Sequence, residues 1–104
     1  MIRKAFVMQL LPGFEAEYER RHDELWPEMG AMLREHGVSD YSIFLHAETL
    51  QLFGTLLIED ETLFAKVPET EVCQRWWRFM EDVMESHADG TPRATELRRV
   101  FHLE

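Results

Sequence analysis

Apolar side chains fall on both faces of the run from Arg3 to Leu11: Phe6, Met8 and Leu10 on one side, Ala5, Val7 and Leu11 on the other. This imperfect alternation predicts a strand covered on both sides. Pro12-Gly13 reads as a turn, and a helix is expected from about Phe14, with Phe14, Tyr18 and Leu25 along one stripe. Pro27 lacks an N–H and clashes with the turn before it, so the helix breaks there and a second begins, since proline suits the first helical position. Met29, Met32 and Leu33 give the second helix its apolar side, and Gly37 after His36 marks its stop. Tyr41 to His46 and Leu50 to Glu59 read as strands joined by the polar tip Ala47-Glu48-Thr49, an antiparallel hairpin. A short helix is predicted over Glu61 to Lys66, and Thr70 is a candidate N-cap for the strongest helix, Glu71 to Met84. On a helical wheel its apolar residues, from Val72 to Met84, share one arc with Trp76 near the centre and Trp77 at the rim. A loop from Glu85 to Pro92, turning at Asp89-Gly90, leads to a last strand around Leu97 to Leu103.

The order strand, helix, strand, strand, helix, strand is that of an α+β, ferredoxin-like (βαββαβ) domain, and residues 1–104 read as one such domain. Its helices cover one face of an antiparallel sheet. The strands at Ala5 to Leu11 and Leu50 to Ile58 carry apolar side chains on both faces, so a cover is needed from outside the domain. A second copy of the chain is the simplest cover, because two-fold homodimers are the commonest closed assembly. The expected architecture is a homodimer packed sheet to sheet, a dimeric α/β-barrel type of assembly.

Charge narrows the partners. With 20 Asp and Glu against 11 Lys and Arg, the net charge of −9 opposes binding to a phosphate backbone and disfavours acidic substrates, leaving a neutral ligand as the expectation. Gln9 and Pro12 interrupt the apolar N-terminal stretch, and a charged helix follows where a cleavage site would be needed, so it reads as a strand rather than a signal peptide. No apolar run approaches the ~20 residues of a membrane span. The single cysteine, Cys73, cannot form an internal disulfide, which fits a reducing compartment and a cytoplasmic protein.

Chemistry is most concentrated between Tyr18 and Pro27. Tyr18 and His22 stand four residues apart on a helix, which stacks them on one face beside a chain break and Trp26. The plain alternative is an amphipathic helix with both groups at the edge of its apolar stripe. The histidines at 22, 36, 46, 87 and 102 show no metal-ligand spacing, no glycine-rich phosphate loop occurs, and Cys73 on an apolar arc reads as a structural thiol. No metal and no cofactor are expected. The set Tyr18, Trp26, Tyr41, Trp76 and Trp77 suits a sugar, since aromatic faces pack on C–H faces while O–H and N–H groups reach hydroxyls. Packing in the core is the competing reading for each, most clearly for Trp76.

Several stretches carry a closer likeness: Met1-Ile2-Arg3-Lys4-Ala5-Phe6-Val7-Met8, Tyr18-Glu19-Arg20-Arg21-His22, Leu25-Trp26-Pro27-Glu28, Tyr41-Ser42-Ile43-Phe44-Leu45, Val72-Cys73-Gln74-Arg75-Trp76-Trp77 and Val100-Phe101-His102-Leu103. Over its full length the sequence resembles the L-rhamnose mutarotase family. The resemblance implies a small ferredoxin-like homodimer that interconverts the α and β anomers of L-rhamnose without a cofactor. It implies His22 as the proton donor, with Tyr18, Tyr41, Trp76 and Trp77 contacting the sugar. The chain departs from the family pattern at Asp40, where Asn is common, at His46, at the loop Ala88-Asp89-Gly90-Thr91-Pro92, and by lacking a tryptophan near Leu63 and Phe64. A non-catalytic small-molecule binding module and a cofactor-independent oxygenase are the other functions such a scaffold could serve.

Overall fold

Strands β1 (Ile2–Gln9), β2 (Val38–His46), β3 (Gln51–Ile58) and β4 (Thr95–Leu97) form one sheet in the order β2-β3-β1-β4, every neighbouring pair antiparallel. This is the ferredoxin-like arrangement expected from the sequence. The structure, a computed structural model, describes all 104 residues. Helices α1 (Glu15–Asp23), α2 (Pro27–Glu35), α3 (Glu61–Phe64) and α4 (Glu71–Met80) complete the fold, with a 3-10 turn at Val67–Glu69. None of the helices is long and apolar enough to cross a membrane.

Local signals set most of the boundaries. Pro27 opens α2, and α1 stops at Asp23, leaving Glu24 to Trp26 as the link. At the end of α2, His36 donates from Nδ1 to the Met32 carbonyl at 2.7 Å, and Gly37 follows with φ of 80°. Thr70 caps α4 by accepting from the Cys73 amide at 3.4 Å, and Asp60 caps α3 by accepting from the Leu63 amide at 2.8 Å. In the β2–β3 hairpin, His46 accepts from the amides of Glu48 and Thr49, so this departure from the family pattern is a turn-stabilising group.

In β3 the buried residues Leu52, Gly54, Leu56 and Ile58 face the helices, where Met8, Cys73, Trp76 and Met80 close the core. On the opposite face Val7, Phe53 and Phe44 stand in one cross-strand row, and Ala5 lies beside Leu97. Phe44 keeps 62% of its surface in water. Both faces of β1 and β3 are apolar, and the chain's own helices cover one.

Two expected elements end elsewhere. The last strand is Thr95–Leu97 rather than Leu97 to Leu103: three residues pair with Ala5 to Val7, and residues 98–104 form neither helix nor strand. Helix α4 stops at Met80 rather than Met84. Val83 and Met84 are buried as the wheel predicts, but by pairing with the end of β1: Leu11 donates to the Val83 carbonyl and Leu10 bridges Met84. Phe79, placed on the buried arc by the wheel, is 39% exposed because it lies in this last turn, beneath the Arg21 guanidinium. Arg21 donates to the Phe79 carbonyl at 2.6 Å and grips both oxygens of Asp82 at 2.8 and 3.2 Å, tying α1 to the end of α4.

Candidate active site

On α1, Glu15, Tyr18, Glu19, His22 and Asp23 take the i, i+3, i+4, i+7 and i+8 positions of one helical face, with Tyr18 buried, His22 half-buried and the three carboxylates exposed. The space they leave is a cavity of about 540 Å³ between α1, α4 and β2, a size suited to a small molecule. Its remaining wall is mostly apolar, with Met29 and Leu33 from α2, Met80 and Met84 near the end of α4, and Leu45 from β2.

His22 is half-buried on the last turn of α1, its Nδ1 3.0 Å from the Tyr18 carbonyl. A carbonyl can only accept, so the ring proton is on Nδ1 and Nε2 keeps its lone pair. Burial lowers the imidazole's pKa below the usual 6.5, outweighing the Tyr18 hydrogen bond and the charge of Asp23, which act the other way. His22 is therefore neutral at neutral pH. Its ring lies 4.4 Å from that of Tyr18, tilted by 32°, and meets Trp76 edge-on at 5.4 Å.

Burial also drives the Tyr18 phenol well above its ordinary pKa, with Tyr41 adding a smaller push. The Tyr41 phenol is raised in the same way, chiefly by burial and secondarily by Cys73. Yet Tyr41 is 40% exposed. Its side chain stands on the edge strand β2, part of it at the cavity and part in water. Both phenols stay protonated near neutrality and serve as hydrogen-bond donors, being too weakly acidic to give up a proton. Cys73 is 1% exposed and its thiol is pushed up to about 12 by burial, a structural group rather than a nucleophile.

A β-bulge aims Tyr41. The pairing passes from Ser39–Leu57 to Ser42–Thr55, so Asp40 and Tyr41 together stand opposite Leu56. Asp40 takes a φ of 47°, a left-handed conformation that Asp and Asn tolerate better than most residues, and Arg3 holds its carboxylate at 2.7 Å. Beneath Tyr41, the Phe6 ring meets it edge-on at 6.1 Å and lies across Gly54, where any Cβ would collide with the ring. Gly54→Ala should thus cost ~1–3 kcal/mol of stability by overpacking and weaken ligand binding through the displaced Tyr41. Chemical denaturation together with ligand titration checks this; an unchanged midpoint with unchanged affinity would contradict it.

Tyr18, His22, Tyr41, Trp76 and Trp77 all line one cavity. Trp76 is 6% exposed and belongs to the core as well as to the cavity wall, and Trp77 is half-buried at the rim. Trp26 is a correction: it lies behind Trp76, 5.1 Å away and edge-on, with Phe79 and Arg75 on its other sides, and lines no part of the cavity. Glu15 and Glu19 also line the cavity and were not among the residues expected there. Their spacing with Tyr18 and His22 on one helical face was the available signal. No group of three His, Cys, Asp or Glu is placed to hold a metal ion.

The sequence model of the L-rhamnose mutarotase family matches residues 3–103. The chain belongs to this family. It is 56% identical over 104 residues to the L-rhamnose mutarotase of Opitutus terrae, covering the whole of both sequences. It is 52% identical over 103 residues to that of Enterococcus faecalis, covering 99% of this chain and 100% of the relative. The crystal structure of an L-rhamnose mutarotase from Formosa agariphila superposes with a TM-score of 0.92 at 38% identity, both chains fully covered. A putative antibiotic biosynthesis monooxygenase from Nitrosomonas europaea reaches a TM-score of 0.64 at 12% identity, covering 97% of this chain and 100% of its own, and shares the fold alone. Against the family pattern, Asp40 in place of Asn is a substitution between two residues that accept the left-handed backbone of the bulge.

Proposed function

We propose that the chain is an isomerase that interconverts the α and β anomers of L-rhamnose, with His22 carrying the proton. The observation that carries this reading is the neutral imidazole of His22, its Nε2 free of the Tyr18 bond, in a cavity walled by two tryptophans and two protonated phenols. Anomers exchange when the ring C1–O5 bond breaks and re-forms after rotation about C1–C2. Nε2 takes the proton of the anomeric hydroxyl as that bond breaks, its electrons pass to O5, and the imidazolium donates the same proton to O5. Closure on the other face runs the steps in reverse. The proton ledger balances on one group, with no oxidant, reductant or second catalyst.

Tyr18 and Tyr41 act as donors to sugar oxygens, and the faces of Trp76 and Trp77 receive its C–H surfaces. The methionines and leucines of the wall offer a place for the C6 methyl group. Glu15, Glu19 and Asp23 at the same cavity are acceptors for sugar O–H groups and would serve an apolar aromatic substrate poorly, which favours the isomerase over the oxygenase reading. We further infer a homodimer, in which a second copy covers the apolar face bearing Val7, Phe53 and Phe44, and a cytoplasmic location, which the single buried thiol of Cys73 fits.

NMR saturation transfer between anomers tests the function. Added protein should accelerate exchange of L-rhamnose. It should act on L-mannose, which differs by a C6 hydroxyl, with kcat/KM lower by about 10- to 100-fold. Exchange equal with and without protein would defeat the proposal.

A further inference from the structure

Helix α1 carries His22 but is held weakly by its own residues. It has nine residues and no side-chain cap at its N-terminus, and it buries only Tyr18, since one of its faces borders the cavity. A helix this short is marginal by itself and takes its place from tertiary contacts. A contact from outside the helix must therefore fix its last turn, where His22 stands one residue before the end at Asp23.

Arg21 makes that contact. Its side chain keeps 10% of its surface in water, against 53% for the neighbouring Arg20. Nε donates to Glu17 at 2.6 Å within α1, while Nη1 and Nη2 reach across to the end of α4, to the Phe79 carbonyl at 2.6 Å and the two oxygens of Asp82 at 2.8 and 3.2 Å. Phe79 lies in the last turn of α4, where carbonyls lack a partner within the helix and the dipole is negative, so a guanidinium is favoured there. Asp82 adjoins Val83, which is 0% exposed and whose carbonyl accepts from the Leu11 amide just past β1. The sheet is thereby joined to α1 through one side chain. Arg20 differs: its partners Glu17 and Glu24 lie on α1 or next to its end, so it stiffens the helix without fixing it to another element.

The same guanidinium bears on the other side of the site. It lies 4.5 Å from the centre of the Phe79 ring, and Phe79 stands 5.5 Å from Trp76, the ring that meets His22 edge-on at 5.4 Å. Trp26 closes this cluster, 5.4 Å from Phe79 and 5.1 Å from Trp76. Arg21 thus supports both members of the His22–Trp76 contact, one through the backbone of α1 and the other through Phe79. Tyr18, one turn earlier on α1, is placed by its own burial.

We propose that Arg21 is the positioning residue for His22: by tying the last turn of α1 to the end of α4, it sets the imidazole against Trp76 and so aims Nε2 at the bound sugar. This inference rests on the proton-carrying role proposed above for His22. Removing the tie leaves Tyr18, Tyr41, Trp76 and Trp77 to bind the sugar but frees the end of α1, and a misplacement near 1 Å can cost a reaction ~10²-fold. It also admits water to the imidazole, whose protonation burial opposes. The titratable groups around that ring, Tyr18, Glu19 and Asp23 on α1 and Tyr41 across the cavity, are untouched by the change.

Single variants of the full chain test it, each read by saturation transfer for kcat and KM on L-rhamnose and by NMR titration of the His22 ring. Arg21→Met keeps the aliphatic stem and removes every donor. Its kcat should fall by ~10- to 100-fold with KM within about twofold of wild type, and the His22 inflection should move up toward the ordinary value of about 6.5. Arg20→Met deletes the pairs to Glu17 and Glu24 on the same helix and should change neither reading. Asp82→Asn, which loses one of two acceptor oxygens and the charge, should fall between them, and it carries the test if Arg21→Met fails to fold. A wild-type kcat in Arg21→Met or in Asp82→Asn would overturn the proposal. So would equal losses in Arg20→Met and Arg21→Met, which would make Arg21 a helix stabiliser and nothing more, or a raised KM at unchanged kcat, which would make it a binding group. A wild type that shows no anomer exchange removes the proposed function itself. A wild type that exchanges, with the His22 titration unmoved in Arg21→Met and Asp82→Asn, overturns this inference alone.

Discussion

Replacing His22 by alanine is expected to slow catalysed anomer exchange by ~10² to 10⁴, the usual contribution of one positioned acid–base group, while fold and sugar affinity stay within a few-fold of wild type. The specificity of this loss comes from the surroundings of the imidazole. Tyr18, Tyr41 and Cys73 are all held in their protonated forms by burial, so none of the three can take up and return a proton near neutral pH. Removing either phenol should instead weaken binding more than the chemical step. Exchange rates and sugar titrations on the three single variants separate the roles. Near-normal exchange in His22→Ala would move the proton to another group.

Trp76→Ala should be the most destabilising single change in the cavity wall. The indole is 6% exposed and packs edge-on to both His22 and Trp26, with Phe79 5.5 Å away, so its loss opens a hole that these rings cannot fill. A cost of ~3–5 kcal/mol is expected, a large part of the ~5–15 kcal/mol that holds a domain together. Catalysis should fall too, since His22 loses the ring that stands against it. Trp77, half-buried at the rim, should weaken sugar affinity with a much smaller change in stability. Urea midpoints of the two variants decide the matter, and equal midpoints would show that the adjacent indoles are not divided between core and cavity.

The sequence showed best those features that are local. Pro27, Gly37 and Thr70 act within one turn of themselves, and their helix boundaries stand where they were expected. The divergence of Trp76 from Trp77 follows from helical geometry and survives in the structure. Features set by distant partners were not visible. Val83 and Met84 continue the apolar periodicity of α4, but the backbone there leaves the helix to pair with Leu10 and Leu11, a contact that no helical wheel contains. The tail from Val100 to Leu103 mimics a strand because it is apolar, while the true strand, Thr95–Leu97, is fixed by its hydrogen bonds to β1. Trp26 is four residues from His22 in sequence, yet α1 ends between them and the indole falls behind Trp76. The bulge at Asp40, which decides where Tyr41 points, leaves no mark in the pattern of apolar and polar residues. The cavity did leave one: the face of α1 that borders it reads Glu15, Tyr18, Glu19, His22, Asp23, polar at most of the positions that a core helix fills with apolar residues.

The proposed anomer exchange requires His22 to be neutral at rest and to pass one proton between the anomeric hydroxyl and the ring oxygen. The direct measurement is the exchange rate of L-rhamnose anomers by saturation transfer as a function of pH, in the wild type and in His22→Ala, with the uncatalysed rate subtracted at each pH. Burial lowers the pKa of His22, so the acceptor form is fully present at neutral pH and above. Its contribution to stability has the same sign: complete above the unfolded value of about 6.5 and lost as pH falls through the lower folded value. Catalysed exchange should therefore be flat near neutrality and fall as pH drops, with an inflection below 6.5 that is absent from His22→Ala. A rate that rises into acid, or an inflection that persists unchanged in the variant, would contradict the account.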